Sequence, residues 1–353
     1  MSHESYKILL TIFLATVASS CSQENQSISE VDANGQTCNS DPNINYICGP
    51  LNAEDLLNVG DTGMILTSGM NGTLDGSQTN GHLYLVNPED ESWVDLVGAP
   101  NFSLDFNSDS YPDCPGPLNT DDYSAHGLAL KEIENSYFDL YITSHGAREA
   151  IEIFTLDLRD ASAKLVWSGC VPLDEAIMHN SLAILSDGGF VTTQFMTWAG
   201  GVESTFSGEA KGSLVTWRPG EQPSVIPDSE MDGPNGVVVS DDERYIYVAA
   251  FAASELVRFD LSQNPIKRDS ISLDITPDNV RWGEPGMLLT AGGNTSGDGW
   301  SVIEINADSL ETSRIGGMGS DASLQGASSA LQVDNNIWVG TYSGDRIGYF
   351  ERD

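Results

Sequence analysis

The amino-acid sequence predicts an all-β fold, a six-bladed β-propeller, from three observations. From residue 60 onward, short apolar runs rich in Val, Ile, Tyr, Phe and Thr sit between Gly, Asn, Asp and Pro turns. This is strand chemistry. Long helical periodicity is nearly absent over the same stretch. A loose unit also recurs, in which a polar residue opens one strand, a turn follows, and a second strand comes next. Many short strands with regular turn signals indicate a sandwich, a barrel or a propeller, and the recurring unit selects the propeller.

Taken in chain order, the runs are 64–68, 82–86, 137–143, 151–156, 182–185, 189–193, 245–250, 256–259, 287–290, 301–305, 336–339 and 346–350. Residues 173–178 fit a helical turn. The recurring unit reads His126-Gly127-Leu128-Ala129 before 138–143, Asn235-Gly236-Val237-Val238 before 244–249, and Asp278-Asn279-Val280 before 287–290. A further strand then ends in an edge such as Phe154-Thr155 or Phe259-Asp260. About 300 residues at roughly 40–50 per blade give about six blades, so 51–353 reads as one domain. In a propeller the first strand of each blade lines the central channel. Polar residues that open successive blades therefore converge, and the pattern gathers Glu54, Asn180, Asn235, Asp278 and Asn279 around one point.

Residues 1–20 read as an export signal. Lys7 precedes an apolar run over 8–17, which is too short for a membrane-spanning helix, and small residues follow. Ala18-Ser19-Ser20-Cys21 resembles a bacterial lipobox, which would lipidate Cys21 and anchor the chain to the outer membrane from the periplasm; ordinary cleavage and secretion is the other outcome. The Ser-, Asn-, Gln- and Asp-rich stretch 21–50 reads as a polar tether. Export permits disulfides. Cys38, Cys48, Cys114 and Cys170 allow three pairings, of which Cys38–Cys48 with Cys114–Cys170 is preferred. Their spacing does not suit zinc.

The chain carries 52 acidic and 15 basic residues, a formal charge of -37. Such a surface repels phosphate backbones, which excludes a nucleic-acid partner. The acids are scattered, and 7 Trp, 11 Tyr and 11 Phe spread along the chain mark a folded protein rather than an acidic disordered one. Part of that acidity is available to hold a divalent cation.

Several short segments, in order, carry a family likeness. They are Asn52-Ala53-Glu54-Asp55-Leu56-Leu57; Ala125-His126-Gly127-Leu128 with Ser144-His145-Gly146 and Glu152-Ile153-Phe154; Asn180 with Phe190-Val191-Thr192-Thr193; Asn235-Gly236-Val237-Val238; Asp278-Asn279-Val280; and Ile337-Trp338-Val339-Gly340-Thr341. The set resembles the serum paraoxonase/arylesterase family over roughly 50–350. The wider gluconolactonase and strictosidine-synthase-like propellers share part of it, mainly the Asn-Gly segment. The resemblance implies a six-bladed propeller with one calcium deep in the channel, on Glu54, Asn180, Asn235, Asp278 and Asn279. Carboxylate and amide oxygens suit that hard cation. It also implies a catalytic pair, His126 and His145.

The chain departs from the family pattern at three places. Asp55 stands where the family holds a second, structural calcium, but Ser181 replaces an acidic residue there, which argues against the second ion. Thr193-Gln194-Phe195 stands where the family has Asn-Asp-His, so substrate preference does not carry over. The C-terminus lacks the cysteine of the family's closing bridge, so ring closure rests on strand pairing.

The function implied is calcium-dependent hydrolysis of esters, foremost lactones. Calcium would polarise the carbonyl, His126 would act as general base on a water, and His145 would orient it and hold its proton. His179 reads as solvent-facing, and Trp198, Trp217, Trp282 and Trp300 read as core or blade-edge residues. Residues 196–198 with Gly200-Gly201 offer a wall over the channel. No Gly-x-Ser-x-Gly or His-Glu-x-x-His pattern occurs, and the glycines of 291–299 lack the Lys and helix of a phosphate cradle. Two other readings stay open on the residues alone. One is a non-catalytic propeller that uses calcium as a pin and binds a ligand or protein. The other is a gluconolactonase-like enzyme with an acidic base.

Overall fold

A computed structural model describes residue 38 and residues 40–70, 81–160, 162–208 and 211–352. The leader 1–20, Cys21 and the tether as far as residue 37 lie outside the described residues. Apolar side chains alternating over four to ten positions need a pleated, half-buried surface. The expected runs accordingly become strands: 137–143 lies in Tyr137–Gly146, 245–250 is Tyr245–Ala250, and 301–305 lies in Trp300–Asn306.

Six antiparallel sheets follow one another along the chain and form the blades of a propeller. In blades one to five each strand pairs with the next in sequence, from an inner strand outward. The inner strands are Ala53–Asn58, Tyr123–Glu134, Ile177–Ile184, Pro234–Val239, Ile275–Trp282 and Ala327–Val333. Blade two gains an outermost strand, Phe102–Leu104, parallel to Lys164–Pro172. Blade six is completed from the other end of the chain: Asn45–Cys48 pairs antiparallel with Arg346–Glu351, Asn45 opposite Tyr349 and Cys48 opposite Arg346. Closure by strand pairing is thus as expected, and the propeller begins before residue 51, inside the stretch read as tether. The preferred disulfides are both present, Cys38–Cys48 and Cys114–Cys170.

The apolar core lies between blades. Tyr123, Phe138, Phe154 and Trp167 pack against Leu66, Leu83 and Leu85 between blades two and one. Trp338 and Leu331 pack on Ile65 and Val86 between blades six and one. This arrangement leaves the axis to polar side chains. One expectation needs correcting. Residues 173–178 form a turn rather than a helical one, because the Asp174 side chain accepts the Ala176 N–H and its carbonyl accepts the Ile177 N–H, which starts the next strand. The one α-helix among the described residues is Gly201–Phe206, directly after the Gly200-Gly201 step. No helix among the described residues is long and apolar enough to cross a membrane.

One local irregularity repeats around the ring. In each of the first five blades counted from Glu54-Asp55, two inner-strand residues oppose one residue of the neighbouring strand. The pairing skips Glu54-Asp55, His126-Gly127, Asn180-Ser181, Asn235-Gly236 and Asp278-Asn279, and in blade six it skips Ser328. A bulge re-aims side chains and frees them from the ladder. Gly127 and Gly236 let these bulges crowd together, since a Cβ on either would lie 2.3 Å from main-chain atoms of the next inner strand.

Candidate functional site

The bulges bring the five expected oxygen-bearing residues to the axis. Glu54, Asn180, Asn235, Asp278 and Asn279 are all buried, and the first four line one cavity together with His126. Their hydrogen bonds are spent in one direction. The Asn279 amide nitrogen donates to Glu54 Oε1 at 2.6 Å, and the Asn235 side chain bonds Asp278. What remains is a set of buried oxygens with no partner: Glu54 Oε2, Asn180 Oδ1, Asn235 Oδ1 and Asn279 Oδ1. Buried acceptors are almost always satisfied, so four orphans in one place point to a missing positive group. Electrostatics agree. Burial, and then the nearby Glu54 charge, push the Asp278 carboxyl well above the ordinary carboxylate range. The donor set fits calcium, a hard cation that takes six to eight oxygens. Among the described residues no group of three His, Cys, Asp or Glu side chains is placed to hold a metal, so an ion that favours nitrogen or sulfur has no candidate cage among them.

The histidine pair stands beside this cluster. His126 comes from the blade-two bulge, and His145 lies opposite Ser124 on the adjacent strand. His126 Nδ1 is 2.8 Å from His145 Nε2, and His126 Nε2 is 3.7 Å from Glu54 Oε2. Both rings are buried. Burial, reinforced by His126, holds His145 well below the ordinary imidazole range.

Four residues at the site escape a reading of the sequence. Glu149, four positions after His145, places Oε1 2.8 Å and Oε2 3.0 Å from His145 Nδ1. It is 3% exposed, and burial pushes its carboxyl up to about 8. In sequence it looks like part of a solvated charged stretch with Arg148 and Glu152. Trp198 is not a core residue but 45% exposed, with its ring edge-on to His145 at 5.4 Å and its Nε1 donating to Glu149 Oε1 at 3.0 Å. His179, expected in solvent, is 1% exposed; its Nδ1 lies 4.0 Å from Glu149 Oε2, and burial pushes the ring down to about 4. Above the oxygens, Met70, Met178, Phe195, Val202, Phe251 and Tyr342 give the cavity an apolar lining.

The fourth residue is Arg281, 5% exposed on the blade-five inner strand. Its guanidinium grips both oxygens of Asp55, Nε at 3.1 Å from Oδ1 and Nη2 on Oδ2. It also donates to the Leu56 carbonyl at 3.1 Å and the Leu128 carbonyl at 3.0 Å. Asp55 further accepts the Leu128 N–H at 2.8 Å. The oxygens around Asp55 thus already hold a cation that belongs to the chain. A basic residue one step after Asp278-Asn279-Val280, in a chain with 15 Lys and Arg, was the available signal.

No family model and no curated protein matches the chain. Solved structures match in fold. A gluconolactonase of Xanthomonas campestris aligns at a TM-score of 0.54 and 16% identity, over 88% of this chain and 89% of that one. A luciferin-regenerating enzyme aligns at 0.54 and 12% identity, over 87% and 94%. The structural neighbours are therefore gluconolactonase-like six-bladed propellers, sharing the fold. The paraoxonase/arylesterase resemblance is finer than these likenesses reach.

Proposed function

We propose that the protein is a calcium-dependent hydrolase of carboxylic esters, foremost lactones with an apolar ring or tail. One juxtaposition carries the reading: His126 opens onto the same cavity as the partnerless oxygens of Glu54, Asn180 and Asn235. Calcium held by Glu54, Asn180, Asn235, Asp278 and Asn279 would supply positive charge for the developing oxyanion. His126 would accept a proton from the attacking water, and His145 would orient the His126 ring through their 2.8 Å contact. The lining of Met70, Met178, Phe195, Val202 and Phe251 would hold the apolar part of the substrate and keep bulk water out. The likeness to a gluconolactonase supports lactones as the first class to test. We further propose one calcium rather than two, because Arg281 already satisfies Asp55, Leu56 and Leu128.

A panel of apolar lactones, sugar lactones and aryl esters, assayed with calcium and with chelator, tests this reading. Chelation is expected to abolish turnover and added calcium to restore it. His126→Gln is expected to lower turnover by about 10²-fold or more, the usual scale for a general base. Turnover indifferent to chelation rules out the metal reading. Normal turnover in His126→Gln with a dead Asp278→Asn variant transfers the base role to an acidic residue, as in the gluconolactonase-like alternative.

A further inference from the structure

A carboxyl as deeply buried as Glu149 needs a reason to be there, since an isolated buried charge is costly. Its contacts supply one. Glu149, His145 and His126 form a single file of hydrogen bonds: Glu149 Oε1 to His145 Nδ1 at 2.8 Å, then His145 Nε2 to His126 Nδ1 at 2.8 Å. The file ends at His126 Nε2, next to the cavity floor at Glu54. Each neutral imidazole has one N–H and one lone pair, so the state at one end dictates the state at the other.

We propose that Glu149 is a positioning residue that fixes the tautomer of His145 and thereby frees Nε2 of His126 to take a proton. This deepens the hydrolase reading above and rests on it. An ionised Glu149 accepts only, so His145 carries its proton on Nδ1. His145 Nε2 is then a lone pair and accepts the Nδ1–H of His126. His126 is left with a lone pair on Nε2, the form a general base requires. During attack, the water O–H bond breaks and its proton goes to His126 Nε2, while the water oxygen bonds the carbonyl carbon. The Nδ1 proton of His126 can pass to His145 Nε2, which brings the positive charge to 2.8 Å from the Glu149 carboxylate. When the ester C–O bond breaks, one proton returns to the leaving oxygen and the file is neutral at both rings again.

Trp198 makes the idea testable with an isosteric change. Its Nε1–H donates to Oε1 of Glu149. In Glu149→Gln that donor holds the amide oxygen in the Oε1 place. That oxygen is 2.8 Å from His145 Nδ1, so His145 still donates to it and keeps its tautomer. Glu149→Leu leaves no acceptor there; nothing then holds the His145 proton on Nδ1, and once it moves to Nε2 His126 is left with N–H on the channel side. A tautomer reversed in this way is known to be severe in other hydrolases that pair an acid with a histidine.

The tautomer itself is read by nitrogen-15 NMR of imidazole-labelled protein, at a pH above the ionisation of Glu149. The native protein and Glu149→Gln are expected to show His145 protonated at Nδ1, and Glu149→Leu to show it protonated at Nε2. In parallel, Glu149→Leu is expected to lower kcat by about 10²-fold or more with KM unchanged, and Glu149→Gln to lose less, because it keeps the tautomer and gives up only the charge. A native His145 protonated at Nε2 overturns the proposal without any variant. So does unchanged kcat in Glu149→Leu, or a loss that comes through KM and melting temperature alone, which would make Glu149 a packing group. If the tautomer reverses as expected while His126→Gln keeps full turnover, the positioning holds and the hydrolase mechanism does not.

Discussion

Replacing Arg281 by Met removes a buried cation and keeps most of its volume. The variant leaves the Asp55 carboxylate, which is 0% exposed, without its counter-charge. It also strips a donor from the Leu56 and Leu128 carbonyls. Breaking a buried ion pair from one side costs about 3–5 kcal/mol, because the remaining charge is stranded. At about 2–4 °C per kcal/mol for chains of this order, the melting temperature should fall by roughly 6–20 °C. Adding Asp55→Asn to Arg281→Met should recover part of the loss: it neutralises the stranded charge while its side-chain oxygen can still accept the Leu128 N–H that Asp55 holds at 2.8 Å. Calorimetric melting of the native protein, the single variant and the double variant at fixed calcium gives the answer. A single variant that melts within a degree or two of the native protein would refute the reasoning, as would a double variant no better than the single one.

Two further expectations concern protonation and covalent closure. Glu149, held up to about 8 by burial, faces His145 at 2.8 Å, Trp198 at 3.0 Å and His179 at 4.0 Å, while its main-chain N–H meets Glu175. Below about pH 8 the carboxyl is neutral and no longer balances the positive charge that reaches His145, so kcat should rise with pH through about 8 and then level, and a profile without that limb counts against the assignment. The stability sign is opposite: the folded state holds a proton that the unfolded chain, with the ordinary value of 4.5, has lost, so native stability should decline as pH climbs from 4.5 to about 8, and Glu149→Gln should lack that slope in pH-dependent melting. The Cys114–Cys170 bond spans 56 positions, and losing it through Cys114→Ser with Cys170→Ser should cost about 4 kcal/mol by loop-closure entropy. Denaturant melts unchanged by the double substitution would show that the loop is held by its other contacts.

Much of this architecture was legible because propeller strands announce themselves by type. The run at 245–250 opens with four β-branched or aromatic residues, Tyr-Ile-Tyr-Val, and it is a strand with those bounds. The outer strands were missed for the opposite reason. Lys267–Ser272 and Thr312–Met318 are polar and largely exposed, so they carry no apolar alternation to read. Asn235-Gly236 and Asp278-Asn279 are residue pairs that favour turns, yet they sit inside strands, where the skipped pairing gives them the same liberty a turn would. That is why the polar residues opening each unit could be assembled into one place from sequence. Glu149 and Arg281 could not. The first meets a Trp198 side chain 49 positions away, and the second has its partner 226 positions away. Both depend on contacts between segments that no local pattern encodes.

The strand Asn45–Cys48 has its partner at Arg346–Glu351, some three hundred positions further on. It is made before every other strand of the ring and finds its place after all of them. Until then the last sheet presents a bare edge, the kind of surface that recruits other chains. Assembly therefore finishes with one step joining the two ends of the polypeptide, and a molecule shortened at either end would keep five finished sheets and a sticky sixth.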